Sequence, residues 1–254
     1  MPSQAEQLAG EERRRQALLS AYLAQQIQVL WRGFNTRDVD GAWPAVRAAI
    51  VELINRLRPL SGASAASYYR NARALSAPPG RFTPPAPPDL PREQVTTALD
   101  VTGPGSFKRA VAAGKTPEQA KKVAVVQVTG AAQRLTQDAG RQVVQRSVLR
   151  DPGAIGYARV SDGDPCAFCA MLVSRGAVYK SGKSAGDVRY GGTLYHDHDG
   201  CFAMPIYRGD SEWPGESREL YEQWLRHASG TPDPLNSWRR HWENRLSGDG
   251  GGDG

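Results

Sequence analysis

Apolar residues recur every three or four positions along much of the N-terminal half, a period that predicts helices. Between residues 4 and 34, Leu19, Tyr22, Leu23, Gln26 and Leu30 share a face that Trp31 and Phe34 close, and Gly33 and Asn35 weaken the helix beyond it. Asp40 suits the N-cap of a second helix with the stripe Trp43, Val46, Ile50, Leu53, Ile54 and Leu57. Pro59 is expected to stop that helix, because an interior proline removes a ladder hydrogen bond and clashes with the preceding turn. A shorter segment around Tyr68, Tyr69, Ala72 and Leu75 then completes an array of helical hairpins.

The pattern breaks at residues 77–91, APPGRFTPPAPPDLP, a proline-dense stretch that favours extended backbone and reads as a linker or arm, not core. Spacer use is the commoner reading of such composition; capture by an SH3-like partner is the rarer one. Thr116-Pro117-Glu118-Gln119 is a strong helix start, with Thr as N-cap, Pro in the first turn and Gln at the third helical position. From there Val125, Val128, Ala132, Leu135, Ala139 and Val143 mark one apolar face as far as about Arg150. Such a helix is on the order of 50 Å long. Gly130 and Gly140 interrupt it at about 1 kcal/mol each relative to alanine, which suggests a kink or a close helix contact.

After Asp151-Pro152 the period changes. Residues 155–160 (IGYARV) read as a strand, and 176–179 and 202–207 (GAVY and FAMPIY) as short β-prone runs between glycine-rich loops. Two aromatic amphipathic segments follow, around Tyr221–Trp224 and Trp238–Trp242, before the tail SGDGGGDG, expected to be disordered. The fold class expected is α+β: a mainly helical N-terminal region (1–76), a Pro-rich linker (77–91), a helical region with a long helix (92–152), a small α/β module (153–209), C-terminal helices (210–246) and a disordered tail (247–254).

Composition narrows the function classes. Hydrophobic residues make up 40% of the 254, enough for a core. No apolar run approaches the roughly 18 residues of a spanning helix, and the N-terminus MPSQAEQLAGEERRR lacks a signal-peptide pattern, so an intracellular, non-membrane protein is expected. The net charge of +6 conceals an asymmetry: residues 1–150 hold 21 Lys and Arg against 11 Asp and Glu, the remainder 11 against 15. The basic half could face nucleic acid, where cations release counterions from phosphates, or could be a solvated helical surface.

The chemistry concentrates in one place. All three cysteines and two of the four histidines fall in DPCAFC (164–169) and LYHDHDGC (194–201). Thiolates two residues apart can converge on one ion, and soft sulfur with imidazole in a tetrahedral set selects zinc. Cys166, Cys169, His198 and Cys201 are the expected ligands, with His196 as the alternative to His198. Four protein ligands leave no open position, so the zinc is structural. A redox CxxC lacks its βαβ context, and three unrelated buried cysteines would leave the clustering with histidine unexplained. Pro165-Cys166-Ala167-Phe168-Cys169 matches one element of a zinc deaminase, yet no histidine precedes it and His-x-Glu is absent. HExxH and GxSxG are absent too, and an HNH-type nuclease would need a helix where Cys201 leads into the strand-like FAMPIY. No catalytic residue and no organic cofactor site are assigned, and the balance leans away from an enzyme.

DGDPCAFCAMLVSRGAVYKS followed by YHDHDGCFAMPIY resembles the C-terminal core of MuF-like minor capsid proteins, the phage head morphogenesis proteins, in their actinobacteriophage form. The likeness covers about residues 155–208, with a weaker one around YYR near residue 68. Relatives often carry a further Cys or His where this chain has Phe202 and Ala203, a departure that bears on a fifth ligand and not on the first four. The resemblance implies a virion protein, inside the capsid and in the host cytoplasm during assembly. It would be present in few copies near the portal, with portal, capsid and scaffold proteins as partners, and double-stranded DNA as a further one through packaging or ejection. The alternative is a metal-dependent hydrolase, either a capsid maturation protease or an HNH-type nuclease.

Overall fold

A computed structural model describes residues 2–161, 163–177 and 201–246. The described elements run α1 (Gln4–Arg32), α2 (Val39–Ser76), α3 (Arg92–Thr102), α4 (Pro104–Ala112), α5 (Pro117–Arg150), β1 (Ala154–Val160), α6 (Ala167–Val173), β2 (Phe202–Tyr207), α7 (Ser217–His227) and α8 (Pro234–Leu246). Among these residues the chain is mostly helical with one two-stranded antiparallel sheet, an α+β arrangement in which helix dominates. No helix among them is long and apolar enough to cross a membrane.

α2 departs from the expected pattern. It runs unbroken through Pro44 and Pro59 and absorbs the segment around Tyr68 that the sequence suggests is separate. An interior proline costs about 3 kcal/mol. Here the turns on either side of Pro59 are buried, at Leu57 and Arg58 before it and Ser61 and Gly62 after it. Arg58 also donates to the carbonyls of Leu135 in α5 (2.7 Å) and Pro88 (3.0 Å). Tertiary contacts from both flanks therefore hold the helix through the missing hydrogen bond.

α5 is the axis on which the rest packs. Its N-terminal capping box forms as read from the sequence: Thr116 Oγ1 accepts the Gln119 N–H, and Gln119 Oε1 accepts the Thr116 N–H. The single apolar stripe underestimates its burial, because α1, α2, α3, α4 and both strands all touch it. Thr129, Gly130, Ala131, Thr136, Gly140 and Arg141 are buried as well as the predicted face. Small residues permit this close approach. A Cβ on Gly140 would lie 2.9 Å from Ser61 Oγ and 3.0 Å from Gln16 Nε2, so α1, α2 and α5 meet at that glycine. A buried polar network fills the junction. Ser61 Oγ donates to Gln16 Oε1 (2.7 Å), and Gln16 Nε2 and Ser64 Oγ donate to the carboxylate of Glu12 (2.6 Å each).

The proline-rich stretch is extended but is not a free linker. Pro84 is buried, and Pro87 lies over Gly62, where a Cβ would come within 3.0 Å of its Cγ. Arg146 donates to the Ala86 carbonyl (3.0 Å), and Phe82 packs on Tyr69 with ring centroids 5.5 Å apart. The segment is a strap across α2 and α5. Chain without helical hydrogen bonds offers free carbonyls, and arginines of the bundle take them up. Pro87 is turned onto this chain's own α2, while Pro85 and Pro88 are half-buried.

β1 and β2 pair from Val160↔Phe202 to Ala154↔Tyr207, with a bulge between Ala154 and Gly156. Two strands alone are marginal in water. These are held by ring contacts to α2: Phe202 on Tyr68 (5.2 Å) and Tyr207 on Tyr69 (6.3 Å). At the seam Asp151, whose side chain is wholly buried, accepts from Arg73 Nε (2.9 Å), the Tyr69 hydroxyl (3.2 Å) and the Gly153 N–H (2.9 Å). Burial pushes the Tyr69 hydroxyl well above the usual tyrosine range, so it stays a neutral donor to that carboxylate.

Of the β-prone run at 176–179, only Gly176 and Ala177 lie among the described residues. They form a turn tied back by the Ala177 N–H to the Glu212 carbonyl (2.9 Å). The expected tail at 247–254 lies outside the described residues.

Candidate metal centre

Strand β1 delivers the chain to Pro165, and Cys166 then caps α6, its Sγ accepting the Cys169 N–H at 3.4 Å. That turn is one a CxxC at a helix start can make: the first cysteine caps the helix and the second lies within its first turn. Cys166 is exposed, whereas Cys169 and Cys201 are each 3% exposed, and none of the three is in a disulfide. Cys201 stands immediately before β2, and Arg141 of α5 donates to its carbonyl at 3.3 Å.

Cys169 and Cys201, 32 positions apart in sequence, belong to one apolar cluster with Ala170, Leu172, Leu220 and Trp238. His198 and the alternative His196 lie outside the described residues. Among the described residues no three His, Cys, Asp or Glu side chains gather as a metal-binding group. What is described is two buried thiols in a shared core with a third opening the turn of one of them. This donor chemistry suits zinc, because thiolates accept backbone N–H groups and bind soft or borderline cations.

The sequence reading missed what supports this turn. Trp238 Nε1 donates to the Ala167 carbonyl (2.7 Å) and Trp242 Nε1 to the Pro165 carbonyl (2.8 Å), both from α8. The signal was present as two tryptophans one helical turn apart, but their partners lie more than 70 residues away.

The other two histidines pair with each other. His227 of α7 and His241 of α8 stack with centroids 3.8 Å and planes 10° apart. Burial, then the facing His227, Arg245 and Arg226, hold the His241 pKa below the usual imidazole value. The folded protein therefore resists a proton that the unfolded chain accepts. This contribution is intact above the unfolded imidazole pKa of about 6.5 and is lost as pH falls below it. Melting temperature is expected to drop more steeply between about pH 7 and pH 5 in the wild type than in His241→Gln. Parallel curves would remove His241 from the account.

A family model described as VG15 protein matches residues 3–227, nearly the whole chain. The chain belongs to the VG15 protein family. A curated relative, the Gene 15 protein of Mycobacterium phage D29, is 38% identical over 77 residues. That stretch is 29% of this chain and 28% of the phage protein, so the match spans little more than a quarter of the relative's length. No solved structure matches. Together the family and the relative mark this VG15 member as a phage protein, and they name neither a MuF-like core nor a capsid role.

Proposed function

We propose that this VG15 protein is a minor capsid protein of a tailed phage that acts in head morphogenesis at or near the portal. The observation that carries the reading is the family match over residues 3–227, joined to a relative encoded by a phage. The MuF-like pattern of CxxC, HxxC and a following hydrophobic strand gives the finer assignment. The fold is compatible with it: a helical bundle about α5, a small sheet packed on α2 and α5, and a separate cysteine-bearing cluster of α6, α7 and α8. A structural zinc on Cys166, Cys169, Cys201 and His198, or His196 in its place, would tie the start of α6 to the start of β2. When bound, the ion supplies a cross-link and no turnover. The basic surface of residues 1–150 contacts portal or scaffold proteins, and packaged double-stranded DNA in the filled head.

The test is made on particles. In the phage that encodes this chain, mass spectrometry of purified procapsids and virions is expected to find it at a few copies per head. Deleting its gene is expected to reduce the yield of DNA-filled heads. A protein missing from both particle types would end the capsid reading.

A further inference from the structure

The carbonyls on either side of Cys166, those of Pro165 and Ala167, are both taken by indole N–H groups of α8. Pro165 is buried and precedes the N-cap, so its carbonyl has no place in the α6 hydrogen-bond ladder and needs an outside donor. Trp238 and Trp242 are 1% and 2% exposed, and their rings pack against each other at a 31° tilt with centroids 5.3 Å apart. Arg245 covers the outer face of Trp242 at 4.5 Å, and Trp224 of α7 packs on Trp238 at 5.6 Å. Both indoles are buried among these neighbours, and each N–H is committed to one carbonyl.

We infer that Trp238 and Trp242 are positioning residues for the Cys166–Cys169 turn, and that α7 and α8 form part of the proposed metal module instead of trailing behind it. The inference rests on the metal reading above and extends it to the groups that orient the ligands. Partners outside a metal's ligand set aim the ligands and are commonly worth ten- to a hundredfold in affinity. Here they act through the backbone. Two clamped carbonyls fix the direction of the Cys166 side chain and of the turn carrying Cys169.

The test uses the full chain and its Trp238→Phe and Trp242→Phe variants, which keep a ring and lose the N–H. Trp224→Phe is the control, since Trp224 packs on the cluster without bonding the turn. Zinc affinity is read by competition with a chromophoric chelator, and thiol exposure by the rate of maleimide addition to the zinc-free protein. Weakening of zinc by about tenfold or more in either clamp variant, with the control near wild type and helical circular dichroism retained, is the expected result. Wild-type affinity in both clamp variants would overturn the inference. Should the wild type itself bind no zinc, the metal reading fails while the clamp is still decided by the thiols. Faster maleimide addition in the clamp variants alone upholds the clamp, and unchanged rates reject it. If a clamp variant loses helical signal, the single-site rates of the other, folded variant decide.

Discussion

Replacing Asp151 with alanine is expected to cost about 3–5 kcal/mol of folding stability, the scale for breaking a buried ion pair from one side. The carboxylate is wholly buried and Arg73 is only 13% exposed, so the pair is largely shielded from water. Three donors converge on it: Arg73 and Tyr69 from α2, and the Gly153 N–H at the entry to β1. Its own N–H closes α5 on the Ser147 carbonyl. Alanine would leave the guanidinium uncompensated and the hydroxyl of Tyr69 without its acceptor. Asp151→Asn retains an acceptor oxygen and should lose distinctly less. Urea unfolding of the three proteins checks this, and a loss below about 1 kcal/mol in the alanine variant would show that the seam is held by apolar contacts alone.

The second large effect belongs to the proposed zinc. Stripping zinc from the full chain with a strong chelator is expected to loosen the module of α6, α7 and α8 while the α1–α5 bundle stays folded. Structural zinc contributes on the order of 10–16 kcal/mol in zinc-finger peptides, the same scale as the apolar burial of this cluster. The bundle has an independent core around Leu23, Ile27, Trp31, Ile54, Leu99 and Val128, and contains no cysteine. Tryptophan emission should therefore shift to the red as Trp238 and Trp242 meet water, with most of the far-ultraviolet helical signal unchanged. Release of one equivalent of zinc with no change in emission would make the ion a passenger.

The start of α5 was readable because its cause is local, whereas α2 begins behind Asp38 and not behind the expected Asp40. Thr116 and Gln119 cap each other across three residues, and the structure forms that box. Cys166 and Cys169 are joined by the same kind of short-range hydrogen bond. The two strands were legible from β-branched and aromatic residues at 155–160 and 202–207, and they pair with each other. The supports of the cysteine turn were not legible. A tryptophan stripe in an amphipathic helix says that a face is buried, not which carbonyl its N–H will meet.

Pro59 and the proline strap show the same division from the other side. Local chemistry argued for a break at Pro59 and a free arm at 77–91, and both arguments were sound for an isolated segment. The packed molecule overruled them, because Arg58 and Arg146 found the carbonyls of Pro88 and Ala86 and the flanks of α2 were buried. What this sequence determines by itself is therefore the set of helices, strands and turns whose hydrogen bonds close within a few residues. The tertiary structure decided how far α2 runs, where the strap lies, which faces of α5 are covered and what pins Cys166. Those outcomes depend on partners brought together only by folding, where burial of many apolar groups outweighs a local cost of a few kcal/mol.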